Sequence, residues 1–161
     1  MSILGALCLF GYFGISSFQK NDHQRWGQAL LDSLTESQKH EATHALKGLQ
    51  IDPELEITTF ATEPMLKNPT NMDIDSKGRV WITEAFNYRP AIAGNPVNPA
   101  GDRIIILEDT NGDGKADNEK VFYQSPELNA PLGIAVLDSM VIVAQSPYIW
   151  KFFDDNHDDK A

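Results

Sequence analysis

The sequence predicts a mainly β fold, an incomplete β-propeller preceded by a short α-helical segment. Beyond Pro53, short β-rich runs alternate with clusters of Gly, Pro, Asn and Asp, as in an all-β domain. An aspartate-rich loop also recurs after about 45 residues, which is the period of a four-stranded propeller blade. Because a propeller needs at least about four blades to close, we expect residues 54–161 to be about two and a half blades, truncated at the C-terminus, of a larger protein.

The composition excludes several classes of protein. The 161 residues include 23 Asp and Glu against 13 Lys and Arg, for a net charge of −10. This acidic balance argues against a nucleic-acid binder, which needs clustered Lys and Arg. A single cysteine, Cys8, excludes an intrachain disulfide framework and a Cys-rich zinc site.

The first segment, residues 1–19, carries no charged side chain, and Ile3–Phe18 is mostly apolar. A membrane-spanning helix needs about 20 apolar residues, so this shorter run favours a signal peptide and export to the periplasm or cell envelope. No Lys or Arg precedes the run, which leaves an uncleaved membrane anchor as an alternative and a lipid-modified Cys8 as a weaker one. Contact with a membrane is expected only through this segment.

Residues 20–50 are predicted to be helical, because Leu and Ala recur at three- and four-residue steps and Pro53 follows. His40-Glu41-Ala42-Thr43-His44 spells H-E-x-x-H, which in a metalloprotease places two zinc ligands and a general base on one helix face. A third ligand is not evident in the sequence. We therefore interpret His40 and His44 as two exposed helix residues.

Eight β-rich runs follow. They are Leu55–Ala61, Met72–Asp75, Arg79–Glu84, Arg103–Glu108, Lys120–Gln124, Gly133–Leu137, Met140–Ala144 and Tyr148–Phe153. Tight hairpin turns are predicted at 76–78 and at 138–139, and a loop rich in Pro and Gly at 88–102. A second repeat aligns Pro69 and the run 80–84 with Pro131 and the run 141–145.

The sharpest motif is the loop Asp109–Asp117. Oxygen-bearing side chains stand at its positions 1, 3, 5 and 9, and Gly114 at position 6 permits a sharp turn, as a calcium loop requires. The predicted ligands are the side chains of Asp109, Asn111, Asp113 and Asp117 and the backbone carbonyl of Lys115. An EF-hand is disfavoured because position 12 is Lys120 and β-runs flank the loop. A turn that only bonds to itself is the alternative.

The copy of this loop offers Asp154, Asn156 and Asp158 as weaker calcium ligands. Asp159 stands there in place of the glycine, and the chain ends before the ninth position.

Polar residues at the edges of the first hairpin are candidates for binding a cofactor or substrate, since strand ends line the central funnel of a propeller. They are Asn68, Asn71, Glu84, Tyr88 and Arg89. Ordinary turn and edge chemistry is the alternative. Trp81 and Trp150 are expected in the core between blades.

An ordered set of motifs resembles the large exported membrane-bound dehydrogenase proteins of planctomycetes, over about residues 44–161. The motifs are Glu63–Leu66, Asn68–Asp75, Gly78–Trp81, Gly101–Ile104 and Asp109–Asp117. The N-terminal propeller of those proteins is similar to the soluble quinoprotein glucose/sorbosone dehydrogenases. The resemblance implies a six-bladed propeller, followed in many such proteins by helical repeats and a cytochrome c domain.

The resemblance also implies an activity. Characterised relatives use pyrroloquinoline quinone (PQQ) with calcium and oxidise a sugar or alcohol by hydride transfer to the quinone. For the full-length protein, the resemblance makes a cytochrome c the candidate electron acceptor. The catalytic histidine and most of the cofactor contacts would lie in blades beyond this sequence, so the catalytic residues are unknown. The rival expectation is a non-catalytic, calcium-braced propeller that binds carbohydrate or protein.

Overall fold

The computed structural model describes residues 32–35, 38, 41–44, 46, 49, 51–88 and 97–161. The chain divides into two compact units, Met1–Thr59 and Phe60–Ala161. The predicted signal segment, Cys8 and most of the predicted helix over 20–50 lie outside the described residues. In the described part of the first unit a short 3-10 turn forms at Ala42–His44.

The strand predicted at Leu55–Ala61 is wrong, because these residues form no strand. Leu55 and Ile57 are exposed, while Phe60 and Ala61 pack against a buried cluster of the second unit. The carbonyl of Phe60 accepts a hydrogen bond from the N–H of Ala116 at 2.8 Å. An alternating apolar pattern needs a neighbouring strand to form a ladder, and in this segment Phe60 and Ala61, which belong to the second unit, pack against a sheet as irregular chain.

The second unit begins with a four-stranded antiparallel sheet, sheet A. Its strands are β1 (Pro69–Ile74), β2 (Val80–Glu84), β3 (Asp102–Glu108) and β4 (Asn118–Ser125). They are hydrogen-bonded in chain order, β1-β2-β3-β4. Four of the predicted runs and the turn at 76–78 are confirmed here.

A three-stranded antiparallel sheet, sheet B, follows. Its strands are β5 (Gly133–Leu137), β6 (Met140–Gln145) and β7 (Tyr148–Phe153), again bonded in chain order. The three predicted runs and the turn at 138–139 are confirmed. The described residues are therefore mainly β, in two antiparallel sheets.

Strand β3 lies in the core of the second unit. Its four consecutive residues Ile104–Leu107 are all buried, which is the pattern of a strand covered on both faces. Ile104 and Ile106 join a cluster with residues of sheet B, whereas Ile105 and Leu107 face a second cluster covered by the segment around 60–66. Trp81 is buried in the first cluster, edge-on to Phe122 at 4.8 Å between ring centroids, so its predicted core role is confirmed.

The strands β1 and β5 lie side by side and join the two sheets through side-chain bonds. The Thr70 hydroxyl donates to the Pro131 carbonyl at 2.6 Å, and the Asp73 carboxylate accepts the N–H of Val136 at 2.7 Å. These contacts fix the first strand of sheet B against the first strand of sheet A.

The chain enters the two sheets in the same way. Asn68 and Ala130, each just before a proline, both have left-handed backbone angles, with φ of 46° and 53°. The Glu84 carboxylate, at the end of β2, accepts the N–H of Lys67 at 2.6 Å. At the end of β6, Gln145 accepts the N–H of Asn129 at 2.9 Å in the equivalent place. The second sequence repeat therefore has a structural counterpart, built around the prolines at 69 and 131.

Candidate functional site

The connection between β3 and β4 curls around the carboxylate of Asp109. One oxygen of Asp109 accepts the N–H groups of Gly112 at 2.8 Å and Asp113 at 3.2 Å, and the other accepts that of Gly114 at 2.8 Å. Gly112 and Gly114 have φ of 77° and 82°, angles that favour glycine. The bond from Gly114, with those from Gly112 and Asp113, holds the pKa of Asp109 below its ordinary value, so the carboxylate is ionised.

The other predicted ligands also take part in this curl. The side chains of Asn111 and Asp113 accept the N–H groups two residues further on, at 2.8 Å and 2.9 Å, the second of these from Lys115. Both oxygens of Asp117 accept the Thr110 hydroxyl, at 2.8 and 2.9 Å. Each ionised carboxylate has about four lone-pair sites, so these bonds leave acceptor capacity for a cation.

The donor set of this loop fits a hard cation, since it consists of carboxylate, amide and carbonyl oxygens on an exposed hairpin. No group of three or more His, Cys, Asp or Glu stands ready to hold a metal in the described part of the chain. Binding at 109–117 would therefore draw on the Asn111 amide and the Lys115 carbonyl, and Asp117 would have to release Thr110.

The loop after β7 repeats this geometry. The carboxylate of Asp154 accepts the N–H groups of Asp158 at 2.9 Å and Asp159 at 3.1 Å, and Asp158 accepts the N–H of Lys160 at 3.1 Å. These bonds have the same spacing along the chain as those of Asp109 and Asp113. His157 and Asp159 have φ of 55° and 63°, at the places that Gly112 and Gly114 occupy in the first loop.

Asp159 also makes contacts to sheet A. Its two oxygens lie 2.6 Å from Arg79 Nη1 and 2.6 Å from Lys120 Nζ. The Arg79 Nε in turn donates to Asp75 at 2.7 Å, and the Trp81 indole N–H donates to the same carboxylate at 3.0 Å. Burial raises the pKa of Asp75 and Asp159, but these bonds to Trp81, Arg79 and Lys120 outweigh it, so both pKa values are lowered.

A second candidate site is a cavity of about 300 Å³ at the opposite end of the strands. Its lining residues are Lys67, Glu84, Phe86, Asn98, Gly101, Asp102, Arg103 and Gln124. Glu84 is 1 % exposed and pairs with Arg103 through two bonds of 2.6 and 3.0 Å. Arg103 also reaches Glu119 at 2.8 Å, and Glu84 is the main reason that the pKa of Arg103 is raised.

Residues 41–161 match a domain of unknown function, DUF7133. The chain belongs to the DUF7133 family. The matched region contains both sheets and both aspartate-rich loops. No curated protein and no solved structure matches the chain. Within the described ranges, no helix is long and apolar enough to cross a membrane.

The DUF7133 structure gathers only some of the predicted strand-end residues. Glu84 lines the cavity. The side-chain amides of Asn68 and Asn71 instead donate hydrogen bonds to backbone carbonyls, those of Ala85 and Leu132 respectively. Tyr88 is half-exposed and does not belong to the residues that line the cavity. Arg89 lies outside the described residues.

The H-E-x-x-H motif falls at the edge of the matched region. His40 lies outside the described residues, so the structure gives no distance between the two imidazoles. Glu41 is exposed, and His44 ends the 3-10 turn Ala42–His44.

Sequence reasoning missed Asp102 as a structural centre of the domain. Its side chain is 1 % exposed, and its two oxygens accept the N–H groups of Asn87 at 2.8 Å and Ala130 at 2.6 Å. The carboxylate thereby ties the long β2–β3 connection to the chain that enters sheet B. In the sequence, Asp102 is separated from the apolar run 104–107 only by Arg103, which does not reveal the N–H groups that it binds.

Proposed function

We propose that this DUF7133 domain supplies calcium-braced blades to an exported β-propeller of the quinoprotein dehydrogenase type. The observation that carries the proposal is the double repeat. Strands β5–β7 follow the order and pairing of β1–β3, and each third strand leads into an aspartate-rich loop with the same hydrogen bonds. A closed ring needs at least about four such units, so the proposal includes further units besides the two sheets.

Calcium is the proposed ligand of the first loop. Asp109, Asn111, Asp113 and Asp117, with the carbonyl of Lys115, supply only oxygen donors, which Ca²⁺ prefers. Three carboxylates on an exposed hairpin also repel one another, and a divalent cation relieves that repulsion. The second loop, with Asp154, Asn156 and Asp158, is the weaker candidate because Asp159 replaces the glycine.

The proposed activity is oxidation of a sugar or alcohol, with PQQ as the cofactor and a cytochrome c as the electron acceptor. It rests on the ordered motifs from Glu63 to Asp117. When bound, PQQ would accept the hydride. The groups of this domain that offer charge at the strand ends are Glu84 and Arg103, on the 300 Å³ cavity. No catalytic residue is assigned among the residues of this chain.

The alternative function is a non-catalytic module that binds carbohydrate or protein. One observation favours it: the polar groups at the strand ends bond to each other and to the backbone. Glu84 is engaged by Arg103 and Lys67, and the amides of Asn68 and Asn71 serve carbonyls. In that case the calcium loop would only stabilise a blade.

Dye reduction distinguishes the two functions. The full-length propeller protein, loaded with PQQ and calcium, should reduce an artificial electron acceptor when aldoses or simple alcohols are added. An absence of both PQQ binding and dye reduction, with retained carbohydrate or protein binding, would establish the alternative. The proposed export is tested by expressing the protein in a bacterial host and measuring whether it reaches the periplasm and whether residues 1–19 are removed.

A further inference from the structure

The two faces of sheet B differ in what covers them. One face packs against sheet A in a single buried cluster; its residues are Ile134, Val136, Val141, Val143, Trp150 and Phe152. Because side chains alternate between the two faces of a strand, the intervening residues form the opposite face. We call it the outer face of sheet B; it consists of Ala135, Leu137, Met140, Ile142, Ala144, Ile149, Lys151 and Phe153. All but Lys151 are apolar, and Leu137, Ile149 and Phe153 are 52 %, 66 % and 56 % exposed. A sheet face that stays in water carries mainly polar residues, so this composition is that of a covered face.

The internal repeat shows what covers the equivalent face of sheet A. Glu84 and Gln145 occupy the same place in the two sheets, and so do Asp109 and Asp154. Counting along the strands from these residues gives four equivalent pairs, which are Trp81 and Ile142, Thr83 and Ala144, Ile104 and Ile149, and Ile106 and Lys151. In sheet A these residues are at most 3 % exposed, and Trp81, Ile104 and Ile106 belong to the cluster that packs against sheet B. Sheet B therefore repeats on its outer face the surface on which it is itself docked.

We propose that the outer face of sheet B docks a further antiparallel sheet of the full-length chain, in the way that sheet B docks on sheet A. The stack that begins with sheet A then continues across sheet B. This inference rests on the proposed propeller, and it adds which surface receives the next unit and what that unit must present. The partner face is mainly aliphatic, since Val141 and Val143 share the cluster with Ile104 and Ile106 at the existing interface.

Lys151 sets a charge requirement for this interface. It stands where sheet A has Ile106, which is 1 % exposed under sheet B. Lys151 itself is exposed, and in the described part of the chain it makes no ion pair and no hydrogen bond. An ammonium group that is buried without a partner costs several kcal/mol. The sheet that docks here therefore carries a carboxylate opposite Lys151 in an otherwise aliphatic face.

A second copy of this chain does not offer such a partner. The face of sheet A that corresponds to the docked face of sheet B consists of Val80, Ile82, Ile105 and Leu107. Within the described residues this face is already covered, by Phe60, Ala61, Met65 and Leu66. Two outer faces packed on each other would place each Lys151 against a surface without a carboxylate. The repeat and the charge of Lys151 thus favour a further sheet of the same protein over self-association.

Thiol labelling of Ile149→Cys in the full-length protein tests the docking. Peptide mass spectrometry reads the labelling at this position separately from other cysteines. We expect labelling at least about tenfold slower than in Ser76→Cys, on the exposed turn 76–78, and close to that of Ile104→Cys, the equivalent buried position in sheet A. Labelling of Ile149→Cys as fast as that of Ser76→Cys would overturn the proposal. So would protection that is lost on dilution, which identifies a second copy as the occupant, or equal protection in the 161-residue chain alone.

The melting temperature of Lys151 variants of the full-length protein tests the charge requirement. Lys151→Arg keeps the charge and should melt within about 1 °C of the wild type. Lys151→Met leaves the opposite carboxylate buried without a partner and should melt at least about 5 °C lower. Lys151→Glu should melt lower still, because it brings two negative charges together. A melting temperature in Lys151→Met equal to or above that of the wild type would show an apolar surface opposite, and the proposed partner would be wrong.

These tests fail separately from the proposed dehydrogenase function. Fast labelling of Ile149→Cys in a protein that binds PQQ and reduces the dye would overturn the docking and leave the enzyme in place. Slow labelling and the expected order of melting temperatures, in a protein that neither binds PQQ nor reduces the dye, would support the docking and remove the enzyme.

Discussion

Asp113→Ala is the substitution that separates a calcium loop from a turn that only bonds to itself. In the structure the Asp113 side chain accepts one N–H bond, from Lys115, on an exposed part of the loop. Its removal should change the stability of the calcium-free domain by less than about 0.5 kcal/mol, as for most exposed positions. In the presence of calcium the same substitution removes one of three charged ligands.

The size of the calcium effect follows from mass action. Extracellular calcium modules bind with dissociation constants of about 10⁻⁴ to 10⁻³ M. At about 10 mM calcium, a site with a dissociation constant of about 10⁻⁴ M stabilises the folded state by about 2.7 kcal/mol. For a unit of about 100 residues, such as Phe60–Ala161, this raises the melting temperature by about 10–20 °C.

Differential scanning calorimetry with and without calcium measures this rise. We expect it in the wild type, largely lost in Asp113→Ala and partly kept in Asp113→Asn, which retains an oxygen and its acceptor role. Magnesium should stabilise less, because it demands a tighter octahedral shell. An equal rise in the wild type and in Asp113→Ala would show that calcium acts elsewhere, and the assignment of this loop would be wrong.

Three further predictions concern the packing around the two sites. The pKa values of Asp75 and Asp159 are lowered from 3.8, so their ion pairs stabilise the fold above about pH 4 and are lost as the pH falls through the lowered values. The melting temperature should therefore fall between about pH 6 and pH 2, and it should fall less in Asp159→Asn. The same dependence of melting temperature on pH in the wild type and in Asp159→Asn would contradict the network. Glu84→Ala leaves the partly buried Arg103 without its main partner and should cost about 3 kcal/mol in urea unfolding. Glu84→Gln also removes the charge but keeps an acceptor for the N–H of Lys67, so it should cost less; equal costs would contradict a contribution from that hydrogen bond. Gly101→Ala would place a Cβ 1.8 Å from the last carbonyl oxygen of β4, at a φ of +87°. We expect the free energy of unfolding to fall by more than about 3 kcal/mol, or the variant to fail to fold. A soluble variant with wild-type stability would refute the close approach.

The strands and turns of this domain could be predicted because their signals are local. Alternating apolar residues bounded by Gly, Pro, Asn and Asp predicted seven strands that the structure contains, and the turns at 76–78 and 138–139 follow from the same chemistry. The repeated aspartate spacing also predicted that the two loops share a conformation. The segment Leu55–Ala61 has the same alternation but no adjacent strand, and a single sequence does not show whether a partner is present.

The ion pairs could not be predicted, because they join residues far apart in the chain. Asp159 and Arg79 meet only when the loop after β7 folds onto the turn after β1, and the sequence marks Asp159 merely as a missing glycine. Asp102 similarly bonds to backbone N–H groups of Asn87 and Ala130, which no side-chain pattern indicates. The sequence placed Asn68 and Asn71 at a strand end correctly, but only the structure shows that their amides serve the backbone.

A crystal structure of the chain grown with calcium, with anomalous scattering recorded, tests the central claim most directly. The account predicts an anomalous peak inside the loop 109–117, with oxygen atoms of Asp109, Asn111, Asp113 and Asp117 and the Lys115 carbonyl at about 2.3–2.6 Å. At Asp154, where Asp159 lies 2.6 Å from Arg79 and from Lys120, it predicts at most a weaker peak. A loop 109–117 that keeps its internal hydrogen bonds without a peak at saturating calcium would contradict the account.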